Sequence, residues 1–148
     1  FGTFYLREDS QKPIIFVAGG TGFAPIKGIV EHALHTGIQR PMTLYWGAKT
    51  LEDLYMPTLP KAWVEMNPNF KFIPVLSEPL PTDGWTGRTG FVHQAVLDDF
   101  ADLSAYQVYA CGAPPMIEAA LETFKAQGLP SDEFFSDAFT YANPAPKS

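Results

Sequence analysis

The glycine-rich turn Gly19-Gly20-Thr21-Gly22 contains the residues whose types and spacing most clearly indicate chemistry. The apolar, β-branched run Ile14–Val17 precedes it and is typical of a strand buried on both faces. Pro25 and a periodic apolar stretch follow and predict a helix. Such a turn brings backbone N–H groups and the positive end of a helix dipole to an anion. The stretch therefore predicts a phosphate or pyrophosphate site.

Two well-known phosphate loops do not match this turn. A P-loop requires a lysine at a spacing that is not found here, and the dinucleotide fingerprint G-x-G-x-x-G requires glycine where Pro25 stands. An ordinary glycine turn between a strand and a helix is the alternative interpretation. If phosphate lies on the turn, we expect a valine at Gly22 to occupy its space, to disfavour a positive φ and to leave the domain folded.

A second turn, Cys111-Gly112-Ala113-Pro114-Pro115, has a similar position between a strand and a helix. The alternation of strands and helices along the chain predicts an α/β fold with an open, five-stranded, doubly wound parallel sheet. We expect the strand order 3-2-1-4-5, with helices on both faces and the Pro74-containing strand at an edge. The two turns then face each other where the winding reverses, which is where such sheets bind ligands. The predicted strands are Ile14–Val17, Met42–Gly47, Phe70–Leu76, Tyr106–Cys111 and Phe134–Ser136.

The segment Gly-Gly-Thr-Gly-Phe-Ala-Pro over residues 19–25 closely resembles the nicotinamide-domain loop of the ferredoxin–NADP reductase family. Residues 45–49, 85–90 and 111–115 are similar to further segments of that family. The nearest resemblance is to iron–sulfur flavoprotein reductases, which include CDP-6-deoxy-glucoseen reductase and oxygenase reductase components. It implies that hydride passes from NAD(P)H to FAD, and electrons pass onward to a [2Fe–2S] centre or partner. FAD and the cluster are expected in the full-length protein and not in this chain alone.

The resemblance also implies roles for individual residues. The first turn holds pyrophosphate, the second flanks the nicotinamide, and Cys111 lies beside the ring carbon that gives up hydride. Phe139 is the best match to the aromatic residue that covers the flavin ring. For Arg88, pairing with pyrophosphate or ribose oxygens and a salt bridge within the loop are equally supported. The expected site residues are Gly19, Gly20, Thr21, Gly22, Pro25, Trp46, Gly47, Lys49, Asp53, Arg88, Cys111, Gly112, Pro114 and Pro115 for the cofactor, with Cys111 and Phe139 as catalytic residues.

The charges after the second strand favour NADH over NADPH. Lys49 is followed by Glu52 and Asp53. Two carboxylates near a 2′-phosphate would repel it. A solvated turn of mixed charge is the alternative interpretation for both acidic residues.

The ends of the chain suggest a fragment. Residues 2–6 alternate like a strand, and the resemblance assigns residues 1–6 to the end of a missing flavin-binding barrel. Residues 7–141 form the expected NAD(P)H-binding domain, and residues 142–148 the expected disordered tail. We expect the missing flavin domain and an electron-accepting protein or domain as partners.

Composition narrows the function classes further. The net charge of −6 without a basic cluster argues against nucleic acid and anionic membranes, and one cysteine excludes a four-thiolate cluster in this chain. No metal site is expected, and the lone cysteine favours the cytoplasm. A free-flavin reductase and a non-catalytic NAD-binding or sensor module are the alternative functions.

Overall fold

The computed structural model describes residues 4–138, which form a parallel sheet covered on both faces by helices. The strands are Ile14–Gly19 (β1), Met42–Ala48 (β2), Phe70–Leu76 (β3), Arg88–Thr89 (β4), Gln107–Gly112 (β5) and Phe134–Ala138 (β6). The helices are Phe23–His35 (α1), Thr58–Met66 (α2), Val92–Asp99 (α3) and Pro114–Ala126 (α4).

The sheet has six strands in the order β4-β3-β2-β1-β5-β6, so the predicted count of five is wrong. The predicted order matches the five strands β3-β2-β1-β5-β6, and the two-residue strand β4 lies beyond β3, so β3 is not the edge strand that was predicted. β4 pairs only with Val75 and Leu76, the residues that follow Pro74. Because proline donates no N–H, β3 gains a neighbour only beyond its proline. Two residues are too few for a periodic pattern, which is why β4 was missed.

The winding of the sheet reverses between β1 and β5. Ala18 of β1 pairs with Cys111 of β5, while Gly19 on the other side pairs with Gly47 of β2. Since all pairs are parallel, the turns that follow these three strands lie along the same edge. This is the edge at which doubly wound sheets bind ligands.

Side chains from alternate strand positions enter two apolar layers. Ile14, Phe16 and Ala18 pack towards α1 and α2, while Ile15 and Val17 pack towards α3 and α4. All five are at most 1% exposed. Burial on both faces explains why β1 is a continuous apolar run. It also holds the glycine turn after β1 at the carboxyl edge of the sheet.

Two local predictions differ from the structure. Helix α2 was not anticipated, because a proline can end a helix as well as begin one, and Pro57 stands at the N-cap of α2. The strand predicted for residues 2–6 is absent from its described part, residues 4–6, where Leu6 is instead buried in the α1 layer. Over residues 4–138, none of the helices has the length and apolar character needed to cross a membrane.

Candidate functional site

A cleft of about 730 Å³ opens at the carboxyl ends of β1, β2, β3 and β5. Its walls come from both turns identified in the sequence and from the beginnings of α3 and α4. The residues that line it are Gly19, Gly20, Thr21, Gly47, Ala48, Lys49, Glu52, Asp53, Tyr55, Ser77, Gly90, Phe91, Val92, His93, Ala113, Pro115, Met116 and Ala119. Seven of the fourteen predicted cofactor-binding residues line this cleft, namely Gly19, Gly20, Thr21, Gly47, Lys49, Asp53 and Pro115, and the other seven do not.

The glycine turn forms the central wall of the cleft. Gly20 has φ +56°, a left-handed conformation that favours glycine, and residues Gly20–Gly22 form one 3₁₀ turn. Helix α1 begins directly after it and has no acidic residue in its first turn. Bare backbone and the positive end of a helix dipole therefore meet at this wall, as an anion requires.

Gly22 packs closely against the end of β5, and the positive φ expected at this residue is wrong, while its contact with phosphate stays a prediction. Its φ is −62°, so no left-handed conformation is involved. A Cβ added here would lie 2.1 Å from the carbonyl oxygen of Cys111. Gly22 thus lets the turn after β1 contact the end of β5, and a side chain would displace backbone.

Trp46 supports the glycine turn from below. It is fully buried, its Nε1 donates to the carbonyl oxygen of Gly20 at 2.9 Å, and its ring stacks on Phe23 at a centroid distance of 4.0 Å. Trp46 thus positions the glycine turn without lining the cleft, and its predicted contact with the cofactor stays a prediction.

The end of β5 forms an apolar wall opposite the turn. Pro114 and Pro115 are the first two residues of α4, so this helix begins without their N–H groups. The Cε of Met116 lies 3.1 Å from the Cβ position of Gly19 and 2.6 Å from that of Gly112, which places Met116 across both glycines. This wall suits a flat apolar ring better than a phosphate.

Cys111 is fully buried and does not line the cleft. Burial, with a smaller effect from Asp137, raises the pKa of its thiol to about 12. The thiol is therefore protonated at neutral pH. Its place beside the nicotinamide remains a prediction, and Phe139 lies outside the described residues.

The wall after β2 carries the charged groups. Lys49, Glu52 and Asp53 are exposed along the cleft. The Asp53 carboxylate accepts hydrogen bonds from the N–H and the hydroxyl of Thr50, both at 3.3 Å. Asp53 therefore also caps its own short helical turn, whereas Glu52 extends the negative charge of the wall.

Arg88 forms the salt bridge that was one of its two predicted roles. It donates to the Asp99 carboxylate at 3.0 Å and to the Ala95 carbonyl at 3.2 Å, and it does not line the cleft. Tyr45 donates to the same carboxylate at 2.6 Å. Burial tends to raise the pKa of Asp99, but the hydrogen bonds from Arg88 and Tyr45 outweigh it and lower the pKa. These contacts tie β4 to α3.

Phe91, His93 and Met116 are among the cleft residues that the sequence did not single out. Their position follows from β4 and from the starts of α3 and α4, which no local pattern located. Pro25 lies instead on a separate groove of about 540 Å³, together with Phe4 and His32.

A parallel α/β sheet with a glycine turn and an apolar turn meeting at its winding reversal defines the class of dinucleotide-binding oxidoreductase domains. Residues 16–122 match the family model described as the oxidoreductase NAD-binding domain. The chain belongs to this family.

Several known proteins are similar to the chain. It is 49% identical over 138 residues to the CDP-6-deoxy-L-threo-D-glycero-4-hexulose-3-dehydrase reductase of Yersinia pestis, covering 93% of this chain and 41% of that protein. It is 47% identical over 142 residues to protein RfbI of Salmonella typhimurium, covering 96% and 42%. The crystal structure of Amycolatopsis cytochrome P450 reductase GcoB matches with a TM-score of 0.86 at 33% identity, covering 97% and 43%. The chain spans about two fifths of the length of these relatives.

Proposed function

We propose that this chain binds NADH and presents its nicotinamide to a flavin, as the dinucleotide domain of an NAD(P)H-dependent flavoprotein reductase. The meeting of the two turns at the winding reversal is the observation that carries the proposal. One turn offers bare backbone beneath a helix N-terminus, and the other offers proline and methionine surface.

Different residues of the cleft bind different parts of the dinucleotide. Residues 19–22 hold the pyrophosphate, because anions are stabilised at a helix N-terminus. Pro115 and Met116 provide an apolar surface for the nicotinamide. The bound dinucleotide supplies the hydride, while the protein binds and orients it. Cys111 lies at the end of β5 with its thiol protonated, so its proposed part is positioning and not nucleophilic attack.

The acceptor and the location belong to the same proposal. Relatives named as reductases of a hexulose dehydrase and of a cytochrome P450 support a flavin that receives the hydride and passes electrons to an iron–sulfur centre or protein partner. We further propose a cytoplasmic location and a preference for NADH, the latter because Glu52 and Asp53 add negative charge to the wall near Lys49.

The test separates binding from turnover. Calorimetry should show that the purified chain binds NADH, while ferricyanide reduction by the chain alone should be negligible. Adding the flavin domain of a related reductase, linked or in trans, should restore activity, because hydride transfer requires the acceptor within about 3–3.5 Å of the donor.

Three outcomes would contradict the proposal. Absence of NADH binding would exclude the dinucleotide site. Turnover by the chain with exchangeable free flavin would favour a free-flavin reductase, and NADH binding that no flavin domain converts into turnover would favour a sensor module.

A further inference from the structure

A buried arginine joins the segment before β1 to the amino edge of the sheet. Arg40 stands shortly before β2 and is 6% exposed. Its Nε donates to the Lys12 carbonyl at 2.6 Å, and its Nη1 donates to the Arg7 carbonyl at 2.9 Å. One guanidinium therefore holds both ends of residues 7–12. Because a buried charge is costly unless it is hydrogen-bonded, the arginine and this segment depend on each other.

A chain of hydrogen bonds continues from Arg40 to β5 and β6. Its Nη2 donates to Oε1 of Gln107 at 2.7 Å, and the fully buried Tyr109 hydroxyl donates to the same oxygen at 2.7 Å. That hydroxyl accepts from the Arg7 N–H at 2.8 Å, while Gln107 donates to the Glu133 carboxylate at 2.9 Å. Loss of one member leaves buried partners unpaired, so the network favours a single path for the segment.

From Arg7 back to Phe4, the chain follows α1 towards the edge of the sheet that carries the cleft. Leu6 is buried in the layer between the sheet and α1. Phe4 lines the separate groove together with Pro25, near the start of α1, and Asp137, near the end of β6. Both of these groove residues lie at the carboxyl edge, as the glycine turn does. A domain joined ahead of Phe4 would therefore begin beside the nicotinamide end of the cleft.

We propose that Arg40 is a positioning residue for hydride transfer, because it fixes the segment through which a flavin domain ahead of Phe4 is held against the nicotinamide. This inference rests on the proposed function. Arg40 does not line the cleft and acts through residues 7–12. Release of this segment would lengthen the flexible tether and lower the effective concentration of the flavin domain. It would also loosen a donor-to-acceptor distance that must be about 3–3.5 Å.

The experiment joins the chain to the flavin domain of a related reductase and measures flavin reduction by stopped flow at saturating NADH. We expect Arg40→Met to slow flavin reduction about tenfold, because small errors in placement are costly. Tyr109→Phe removes only the hydroxyl that holds the Arg7 N–H, and it should slow the reaction about threefold. Arg40→Lys keeps the charge but not the fork of donors, so its rate should lie between those of Arg40→Met and the parent. Calorimetry should show the parent's NADH affinity in all three variants.

Tyr45→Phe is the matched control for Tyr109→Phe. Tyr45 is also a buried tyrosine, but it lies in the other apolar layer and its hydroxyl donates to Asp99. Its variant removes the same hydroxyl from the core without touching residues 7–12, so the joined protein should keep the parent rate. A second control supplies the flavin domain as a separate protein. Because no tether then connects the two domains, Arg40→Met should reduce this separate flavin domain as fast as the parent chain does.

The outcomes distinguish the two proposals. If the joined parent reduces its flavin and Tyr109→Phe is no slower than Tyr45→Phe, the positioning role is overturned and the proposed function stands. An equal loss of rate by Arg40→Met with the joined and the separate flavin domain also overturns the positioning role alone. A joined parent that binds no NADH, or that binds NADH without reducing the flavin, overturns both proposals.

Discussion

Two glycines of one turn are required for different steric reasons. Gly20 adopts φ +56° with open space around its Cβ position, whereas Gly22 has an ordinary φ and is blocked by the Cys111 carbonyl. Gly20 is required for a left-handed backbone conformation, whereas Gly22 is required for close contact with the backbone of β5. Substitutions should therefore separate the two demands.

We expect Gly22→Ala to destabilise the domain by about 3 kcal/mol, at the upper end of the usual cost of overpacking, because backbone must move. Gly20→Ala is the matched control and should cost about 1–2 kcal/mol, the penalty of a left-handed residue. Urea unfolding of both variants measures the difference. Equal stabilities would show that the contact with Cys111 relaxes freely.

Glu52 adds negative charge to the cleft wall beside Lys49, and the proposed preference for NADH rests on this charge. Glu52→Lys should raise NADPH affinity by about fivefold, which corresponds to about 1 kcal/mol for an exposed charge pair. Glu65→Lys makes the same charge change on α2, outside the cleft lining, and should leave the NADH-to-NADPH ratio unchanged. Calorimetry gives the NADH and NADPH affinities of both variants. If the two variants change the NADH-to-NADPH affinity ratio equally, Glu52 does not determine the specificity.

The buried thiol of Cys111 should resist alkylation. Its pKa of about 12 leaves almost no thiolate at pH 8, and the side chain is fully buried. Iodoacetamide should label the native chain at least tenfold more slowly than the chain in concentrated urea, by mass spectrometry. Rapid native labelling would indicate an exposed, ionised cysteine and would reopen a nucleophilic role.

At the scale of elements, the short strand β4 joins the sheet to α3. Arg88 and Tyr45 both donate to Asp99, the last residue of α3. These contacts hold the segment that leads into Gly90 and Phe91. Because its side chain pairs with α3, Arg88 does not line the cleft, although Gly90 and Phe91 that follow it do.

Arg88→Ala should lower the free energy of unfolding by about 1 kcal/mol, since the salt bridge is partly exposed. Asp99→Asn should cost a similar amount, and the double variant less than the sum, because both changes break one pair. Urea unfolding of the parent, both single variants and the double variant completes the double-mutant cycle. Calorimetry should show that the NADH affinity of Arg88→Ala is within about threefold of that of the parent. A loss far beyond that would favour the pyrophosphate contact.

The pH dependence of this pair has a defined sign. The pKa of Asp99 is lowered in the folded state, so its stabilising contribution is present above the unfolded value of about 3.9 and is lost as the pH falls through the folded value. The stability difference between the parent and Asp99→Asn should therefore shrink in acid.

Sequence patterns located the elements with strong local signals. The apolar run of β1, the glycine turn and the proline-led start of α4 were predicted because burial and backbone conformation restrict their residue types. Helix α2 was missed since a proline both ends and begins helices, and β4 because pairing with β3 alone defines it. Phe91 and His93 depend on β4, so their place in the cleft required the tertiary structure.

At the scale of the whole molecule, the dinucleotide site depends on where the sheet reverses its winding. Helices α1, α3 and α4 all begin at the cleft, and none has an acidic residue in its first turn. This local arrangement favours an anion although the chain has a net charge of −6. The account therefore predicts one binding region that extends from Met116 through the glycine turn to Phe91.

Amide chemical-shift mapping with NADH tests this central claim most directly. We predict that titration shifts the amides of Gly20, Thr21, Lys49, Phe91 and Met116, while those of Leu6 and His32 in the separate groove remain unchanged. Shifts confined to that groove, or no saturable shifts along the cleft, would contradict the account.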